Sequence, residues 1–174
     1  CSGLTSITLP SSLTSIGEKT FYNCSGLTSI TLPSSLTSIG DYAFSGCTGL
    51  TEVDLSNCTS LISIRERAFY NCSGLTELDL SNCTSLTSIG EWAFYNCSGL
   101  TSITLPSSLT NIGWSAFYDC SGLTTIRIEA TTPPTLGNSA IPSNVTTIEV
   151  PSASVDAYRS ASGWSSHASK IVGY

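Results

Sequence analysis

The sequence has few charged residues, a single histidine and no methionine. Charged residues make up 10% of the 174 positions, whereas about 25% is usual in soluble domains. The net charge of −6 offers no basic surface for phosphates, so we expect no nucleic-acid partner. No apolar run approaches the roughly 20 residues of a membrane-spanning helix, so we expect no membrane span in these residues.

Residues that could perform catalysis are also scarce. His167 is the only histidine, and no serine near it stands in the strand–turn–helix motif that exposes a nucleophile. A zinc site is not expected either, because the chain contains no C-x-x-C motif. We therefore predict no enzymatic activity, no cofactor and no metal centre.

One unit is repeated along most of the chain. It reads C-S-G-L-T-S-I-T-L-P-S-S-L-T-S-I-G-x-x-x-F-x-x. The unit begins at Cys1, Cys24, Cys47, Cys72, Cys97 and Cys120. Successive starts are 23 or 25 residues apart, within the range of about 20–29 residues for leucine-rich repeats. The longer units carry two extra residues at one corner, in 55–61 and 80–86, so these insertions belong in a loop.

Each unit is predicted to form one coil of a solenoid. The spacing of Leu4, Ile7 and Leu9 predicts a short strand that stacks in parallel on the same positions of the next coil. Leu13 and Ile16 predict a second extended segment on the opposite wall. Stacked coils bury the apolar columns that a single coil would leave exposed.

A turn is predicted to follow the second extended segment. Gly17 permits that turn, and an Ala-Phe pair then marks a single helical turn at 43–44, 68–69, 93–94 and 116–117. Arg65 stands where the other coils have glycine. We therefore expect that this position does not require a positive φ.

The pattern changes after residue 128, which divides the chain into a solenoid (1–128) and a C-terminal cap (129–174) of the same structural domain. Residues 129–142 are interpreted as an irregular crossing, 145–150 as a last strand and 152–162 as a short helix. Trp164 and Ile171 are predicted to cover the last coil, because a terminal repeat needs a lid to remain soluble.

Two segments carry a resemblance to a known family. The unit x-x-A-F-x-x-C-x-x-L-x-x-I-x-L-P, as in residues 42–47 (Y-A-F-S-G-C), resembles the BspA-like class of leucine-rich repeats. Residues 150–158 (V-P-S-A-S-V-D-A-Y) and 163–165 (G-W-S) resemble the C-terminal caps of such proteins from anaerobic gut and oral bacteria.

The resemblance implies an α/β leucine-rich repeat solenoid of about six coils of 23–25 residues. Its parallel strands form a stack, short helical turns lie on the opposite side, and a strand and helix cap the C-terminal end. Proteins of this class are commonly extracellular or on the cell surface, and some bind host matrix or plasma proteins. The resemblance therefore implies a surface or secreted location.

Eight cysteines in an exported protein suggest disulfides at first, but their periodicity argues against them. Most lie in one column, and Cys58 and Cys83 lie in a second. Stacked Cβ atoms point the same way, whereas a disulfide needs them to converge to about 3.8 Å. We therefore predict reduced cysteines that act as small apolar core residues.

Strand positions beside the central apolar residue point to the concave face, and two coils carry acids there. Glu52, Asp54, Glu77 and Asp79 form an acidic patch within a field of serine and threonine, and Arg127 takes the equivalent place further along. The patch suits a basic partner or, at Asp54 and Asp79, a calcium ion. The alternative is a solvated face that discourages aggregation.

Large side chains form two neighbouring columns along the turns. They are Tyr42, Arg67 and Trp92 in one column, and Tyr70, Tyr95 and Tyr118 in the other. Arg67 is expected to stack between two aromatic rings. Such rows can bind sugars or anchor a protein, or they can shelter the backbone of the turns. A further column, of Glu18, Asp41, Glu66 and Glu91, is interpreted as structural because it begins each turn.

Two functions fit these observations. The first is a non-enzymatic, adhesin-like binding module that engages a host protein or a glycan through the concave face or the aromatic columns. The alternative is a passive structural spacer or assembly element of a larger bacterial surface protein. The fold does not require an acidic centre, which favours binding, whereas the near-identity of the Ser/Thr rungs favours the spacer.

Overall fold

The computed structural model describes residues 1–174 as a parallel solenoid of about seven turns. Strands lie on two walls. The strands of the concave wall are Ser29–Thr31, Glu52–Asp54, Glu77–Asp79, Ser102–Leu105, Thr125–Ile128, Thr147–Val150 and Ile171–Gly173. The strands of the second wall are Ser15–Ile16, Ser38–Ile39, Ser63–Ile64, Ser88–Ile89, Asn111–Ile112 and Thr135–Leu136.

Neighbouring strands pair in the register that the repeat predicts. On the second wall, Ser15 pairs with Ser38 and Ile16 with Ile39, and the same pairing continues along a six-stranded sheet. On the concave wall, Ile30 is buried between two exposed neighbours. Side chains alternate between the two faces of a strand, so each central apolar residue enters the core and its neighbours face solvent.

The concave wall is interrupted between the two acidic strands. Glu52–Asp54 pairs only with Ser29–Thr31, and Glu77–Asp79 begins a separate five-stranded sheet. The same two coils remain paired on the second wall, where Ser63 lies opposite Ser88. Like charges on these adjacent rungs disfavour strand pairing, although pairing is also absent between the first two coils, where the same positions carry serine and threonine.

The core runs the length of the chain as one cluster of 49 buried residues. A column of stacked phenylalanine rings runs through it, with successive centroids 5.1 to 5.4 Å apart. That spacing is close to the separation of about 4.8 Å between paired strands, so every coil adds one ring. The column consists of Phe21, Phe44, Phe69, Phe94 and Phe117.

Hydroxyl groups also join successive coils, which accounts for the many threonines. The Thr37 hydroxyl donates to the carbonyl of Thr14, 2.8 Å away, and the Thr51 hydroxyl donates to the carbonyl of Thr28 at 3.0 Å. These bonds supply polar contacts at the corners without charge.

The predicted helical turns are wrong, because the Ala-Phe segments form successive tight turns without a helix. Each of these segments contains left-handed residues, such as Tyr42 (φ 56°) and Gly46 (φ 77°). A helix needs φ near −60° at every residue, so the left-handed residues prevent a helix from forming in these segments. Backbone N–H groups that a helix would use internally bond to the next coil instead. The Phe44 N–H, for example, donates to the Ala68 carbonyl at 2.7 Å.

The prediction for the glycine that precedes this turn is confirmed. Neither Gly17 nor its counterparts in other coils have a positive φ. Close approach of the neighbouring coil favours glycine at Gly40, since a Cβ there would lie 2.8 Å from the carbonyl oxygen of Ile16.

Three predictions at the ends of the stack need correction. Residues 4–9 form no strand, because one backbone hydrogen bond, from the Thr28 N–H to the Thr5 carbonyl, is all that joins them to the next coil. The segment 129–142 is not an irregular crossing, since its Thr135–Leu136 strand completes the second wall. Ile171 begins a strand that extends the concave sheet.

A lid of short helices covers the C-terminal end. The α-helix Val155–Ser160 lies between the 3₁₀ helices Ser152–Ser154 and Ser165–Lys170, which confirms the predicted helical region. None of these helices has the length and apolar character needed to cross a bilayer.

Two large buried side chains attach this lid. The rings of Tyr158 and Trp164 lie edge to face, with centroids 5.2 Å apart. The Tyr158 hydroxyl donates to the Ala130 carbonyl at 2.8 Å, and the Trp164 indole N–H donates to the Pro134 carbonyl at 2.7 Å. Trp164 is therefore a lid residue, as predicted.

Candidate binding surfaces

The acidic patch lies on the two strands that border the interruption. Glu52 and Asp54 flank one buried apolar residue, and Glu77 and Asp79 flank another. No lysine or arginine lies within 4.0 Å of these carboxylates, because the four ion pairs of the chain lie elsewhere. Their charges therefore remain available to a partner.

The two aspartates of the acidic patch are held by the longer corners. Asp54 Oδ1 accepts hydrogen bonds from the Ser56 hydroxyl at 2.7 Å and the Ser56 N–H at 3.0 Å. These bonds lower the pKa of Asp54 below its ordinary value, so it is ionised at neutral pH. Asp79 Oδ1 accepts from the Ser81 N–H at 2.9 Å. The long corners thus orient the patch.

The geometry gives no support to a calcium site at Asp54 and Asp79. No group of three or more His, Cys, Asp or Glu side chains is arranged to hold a metal ion. A cleft of about 180 Å³ lies between the two acidic strands, with Asp54, Asp79 and Asn82 among its lining residues.

Arg127 lies on the same wall, but its charge is already engaged. Its guanidinium carbon is 3.4 Å from the ring centroid of Tyr174, and Nη1 is 3.2 Å from Glu149 Oε2. Arg127 and Glu149 are direct partners on adjacent strands. This arrangement joins the last strands and leaves the acidic patch as the charged feature of the concave wall.

Arg67 occupies the predicted position between two aromatic rings. Its guanidinium carbon lies 5.3 Å from the Tyr42 centroid and 4.0 Å from the Trp92 centroid. The Nη1 group also donates to the Tyr42 hydroxyl at 2.6 Å and pairs with Glu66. Lys19 extends the column, with its ammonium nitrogen 5.3 Å from the Tyr42 centroid.

The large residues of this column have left-handed backbone conformations. Tyr42, Arg67 and Trp92 have φ values of 56°, 52° and 50°. This conformation costs an L-residue roughly 1–2 kcal/mol, and asparagine or glycine tolerates it better. The other left-handed position of each turn does carry such residues, namely Asn23, Gly46, Asn71, Asn96 and Asp119.

Three successive rings of the tyrosine column stack on one another, which covers the ring faces between them. Tyr70 and Tyr95 stack with centroids 4.9 Å apart, and Tyr95 and Tyr118 at 5.6 Å. The Tyr95 hydroxyl donates to Asp119 Oδ2 at 2.9 Å, and this hydrogen bond raises the pKa of Tyr95. Because Tyr70 and Tyr118 cover the two faces of Tyr95, that ring presents only its edge to a partner.

Trp114 is a candidate that the sequence analysis did not identify; it stands at the fifth-coil position of the acid column. Its ring lies 4.5 Å from that of Trp92, at an interplanar angle of 65°. Trp114 is 45% exposed and Tyr118 is 43% exposed. The signal was present in the sequence, because Trp114 replaces the acid found at this position in four other coils.

One member of that acid column shows its structural role. Asp41 Oδ1 accepts a hydrogen bond from the Glu66 N–H at 3.2 Å and lies 3.6 Å from Arg65 Nε. The amide belongs to the next coil, so Asp41 joins two coils where a helix start was predicted.

All eight cysteines are free thiols, as predicted, and all except Cys1 are buried. The Sγ atoms of five of them donate to carbonyls of the preceding coil, as from Cys47 to Phe21 at 3.0 Å. Burial raises the pKa of Cys47 to about 11. A thiolate nucleophile is therefore disfavoured in this column.

Parallel coils, two strand walls and a continuous apolar core define a leucine-rich repeat solenoid. The model of the BspA type leucine rich repeat region matches residues 1–85 and 63–161, with six copies. The chain belongs to this bacterial family, whose fold is typically non-enzymatic.

The chain is similar to several solved bacterial structures. The leucine-rich repeat protein TpLRR of T. pallidum is 28% identical with a TM-score of 0.64, over 93% of this chain and 79% of its own. A leucine-rich repeat protein from Bacteroides ovatus is 28% identical, with a TM-score of 0.48, over 86% of this chain and 50% of its own. The pneumococcal vaccine antigen PcpA is 23% identical, with a TM-score of 0.70, over 95% of this chain and 40% of its own. The comparison with curated proteins gives no match.

Proposed function

We propose that this chain is an adhesin-like binding module, located on the cell surface or secreted, that engages a host protein or a glycan. The acidic patch carries the proposal. Three coils place only serine or threonine at these strand positions, whereas two adjacent coils place four acids there, and the sheet is interrupted between those two coils. A feature that lowers stability without a structural benefit favours a role in binding.

The charge of the patch indicates the kind of partner. Four exposed or half-exposed carboxylates without ion pairs would attract a surface rich in lysine and arginine, and charge complementarity raises the association rate. Leucine-rich repeat proteins generally bind proteins. We therefore place a basic protein partner first for the concave wall.

The surface location is part of the same proposal. PcpA, a vaccine antigen with this fold, supports it, as does the family to which the chain belongs.

A passive spacer is the second candidate. The closed stacks of rings along the turns favour it, because they bind coil to coil and present mainly edges. Such a spacer would need rigidity and no ligand.

A binding experiment separates the two candidates. The immobilised chain is incubated with extracellular matrix extract and with serum, beside a variant in which Glu52, Asp54, Glu77 and Asp79 are all changed to Ser. A matched control changes four acids outside the patch to Ser, namely Glu18, Glu66, Glu129 and Asp156. We expect a protein that the wild type and the control retain and the patch variant loses. Failure of the wild type to retain any partner would favour the spacer.

A further inference from the structure

Two columns of side chains end at exposed rings on the fifth coil: the tyrosine column ends at Tyr118, and the column that carries an acid in the four earlier coils ends at Trp114. Trp114 and Tyr118 are four residues apart on the same turn and are 45% and 43% exposed. Between them, at the left-handed position, lies the small, buried Ser115. Earlier coils carry a large side chain at the position of Ser115. The fifth coil has only this serine beside Trp114, so no large side chain at that position covers the Trp114 indole.

The sixth coil does not continue either column. The Ser115 N–H donates to the Asn138 carbonyl at 3.0 Å, and the Phe117 N–H donates to the Ala140 carbonyl at 3.1 Å. This register places Asn138 after Trp114 and Pro142 after Tyr118. The next residue along each column is therefore neither aromatic nor cationic. Arg67, by contrast, has an aromatic ring on the coil before it and on the coil after it.

We propose that Trp114 and Tyr118 form a binding platform for a neutral pyranose unit of a glycan. The C–H groups on one side of a pyranose ring carry partial positive charge and suit the negative face of an aromatic ring. Sugar hydroxyls require nearby acceptors and donors. The exposed side chains of Glu91, Asp119 and Asn138 supply both.

The charges around the platform select the type of sugar. Glu91 forms no ion pair, and Asp119 accepts one hydrogen bond, from Tyr95. These two carboxylates would repel sialic or uronic acids. The platform therefore fits a neutral sugar.

Its size favours a glycan over a protein. A stable protein interface buries about 800 Å² on each partner around an apolar centre. Here two rings lie among exposed polar residues, and Trp114 and Tyr118 are the large exposed apolar side chains of this coil. One or two sugar units need no larger surface.

Other coils of the same chain supply the substitutions for a test. Trp114→Glu introduces the residue found at Glu18, Glu66 and Glu91, and Tyr118→Ser introduces the residue found at Ser45. Trp114→Phe keeps a ring. Tyr22→Ser is the matched control, because Tyr22 is 45% exposed in the tyrosine column but lies on the first turn.

The complete chain and each variant are run in native gels that contain β-glucan, mannan, galactan, xylan or hyaluronan. We expect a neutral polysaccharide to retard the wild type, Tyr22→Ser and, to a lesser degree, Trp114→Phe. Trp114→Glu and Tyr118→Ser should each weaken the apparent affinity about tenfold, with melting temperatures close to that of the wild type.

Several results would overturn the platform. One is that no neutral polysaccharide retards the wild type, and another is that only hyaluronan retards it. A neutral polysaccharide that retards Trp114→Glu as strongly as the wild type would also contradict the proposal. Loss of serum-protein binding in Trp114→Glu without any glycan binding would identify a protein contact instead. The variant with four serines in the acidic patch should be retarded like the wild type. The experiments therefore distinguish failure of the glycan-platform proposal from failure of the acidic-patch proposal.

Discussion

The guanidinium carbon of Arg67 lies 4.0 Å from the ring centroid of Trp92 on the following coil. The same group lies 5.3 Å from the ring of Tyr42 on the preceding coil. One cation thus joins three coils. Stability in a solenoid depends on interfaces between neighbouring repeats, so this side chain contributes where the fold is most sensitive.

Replacing Arg67 with serine should lower stability. Serine is compatible with the left-handed backbone, since Ser115 has a φ of 50° at the same position of another coil. Loss of two cation–π contacts should cost about 1 kcal/mol and lower the melting temperature by about 2–4 °C. Thermal unfolding followed by circular dichroism measures the change. Lys19→Ser is the control and should have little effect, so equal shifts in both variants would contradict the role of the stack.

Removing the acidic patch should stabilise the chain at low salt. With Glu52, Asp54, Glu77 and Asp79 all changed to Ser, like charges no longer face each other across adjacent strands. The melting temperature of the wild type should rise with added sodium chloride because salt screens exposed charges, and that of the variant should rise less. A variant that melts below the wild type at every salt concentration would show that the acids stabilise the wall.

Native thiol accessibility should match the burial of the cysteines. Cys1 is exposed and the other seven are buried, so a thiol reagent should label about one group in the folded chain and all eight in denaturant. Mass spectrometry without reductant counts the labels. Fewer than eight labels in denaturant, restored by reductant, would reveal a disulfide.

Stability should fall in alkaline solution. Burial raises the pKa of Cys47 and Cys58 to about 11 and that of Cys83 to about 12, from an ordinary value of 9.0. The folded chain holds these protons more tightly than the unfolded chain. Their contribution is therefore complete below pH 9 and is lost as the pH rises from about 9 to 12.

Urea unfolding between pH 8 and pH 10.5 measures this loss. Changing Cys47, Cys58 and Cys83 to alanine should flatten the decline of unfolding free energy with pH, even though the core is less well filled. Cys1→Ala should keep the slope of the wild type. A triple variant that declines as steeply as the wild type would assign the effect to other groups.

Tyr158→Phe should loosen the lid. The substitution keeps the ring against Trp164 but removes the hydroxyl that donates to the Ala130 carbonyl. A lost hydrogen bond of this kind costs about 1 kcal/mol. Hydrogen exchange should become faster in Thr147–Val150 and Ile171–Gly173, whereas Tyr174→Phe, at an exposed ring, should leave it unchanged.

Much of the fold was predictable because it depends on local spacing. Leucine and isoleucine positions predicted both walls, and the Arg65 substitution predicted a turn without positive φ. The turn itself was misread, because an Ala-Phe pair favours a helix locally. The conformations of Tyr42 and Gly46 depend on amides that bond to the next coil, which no single coil reveals.

The candidate surfaces divide in the same way. Periodicity sufficed to place Glu52, Asp54, Glu77 and Asp79 on one face and to align Tyr42, Arg67 and Trp92, since both results require only the repeat length. It could not show that the two acidic strands do not pair with each other, that Glu149 and Tyr174 engage Arg127, or that Trp114 stays exposed. Those features depend on distances between side chains of different coils, and such distances exist only once the coils are stacked.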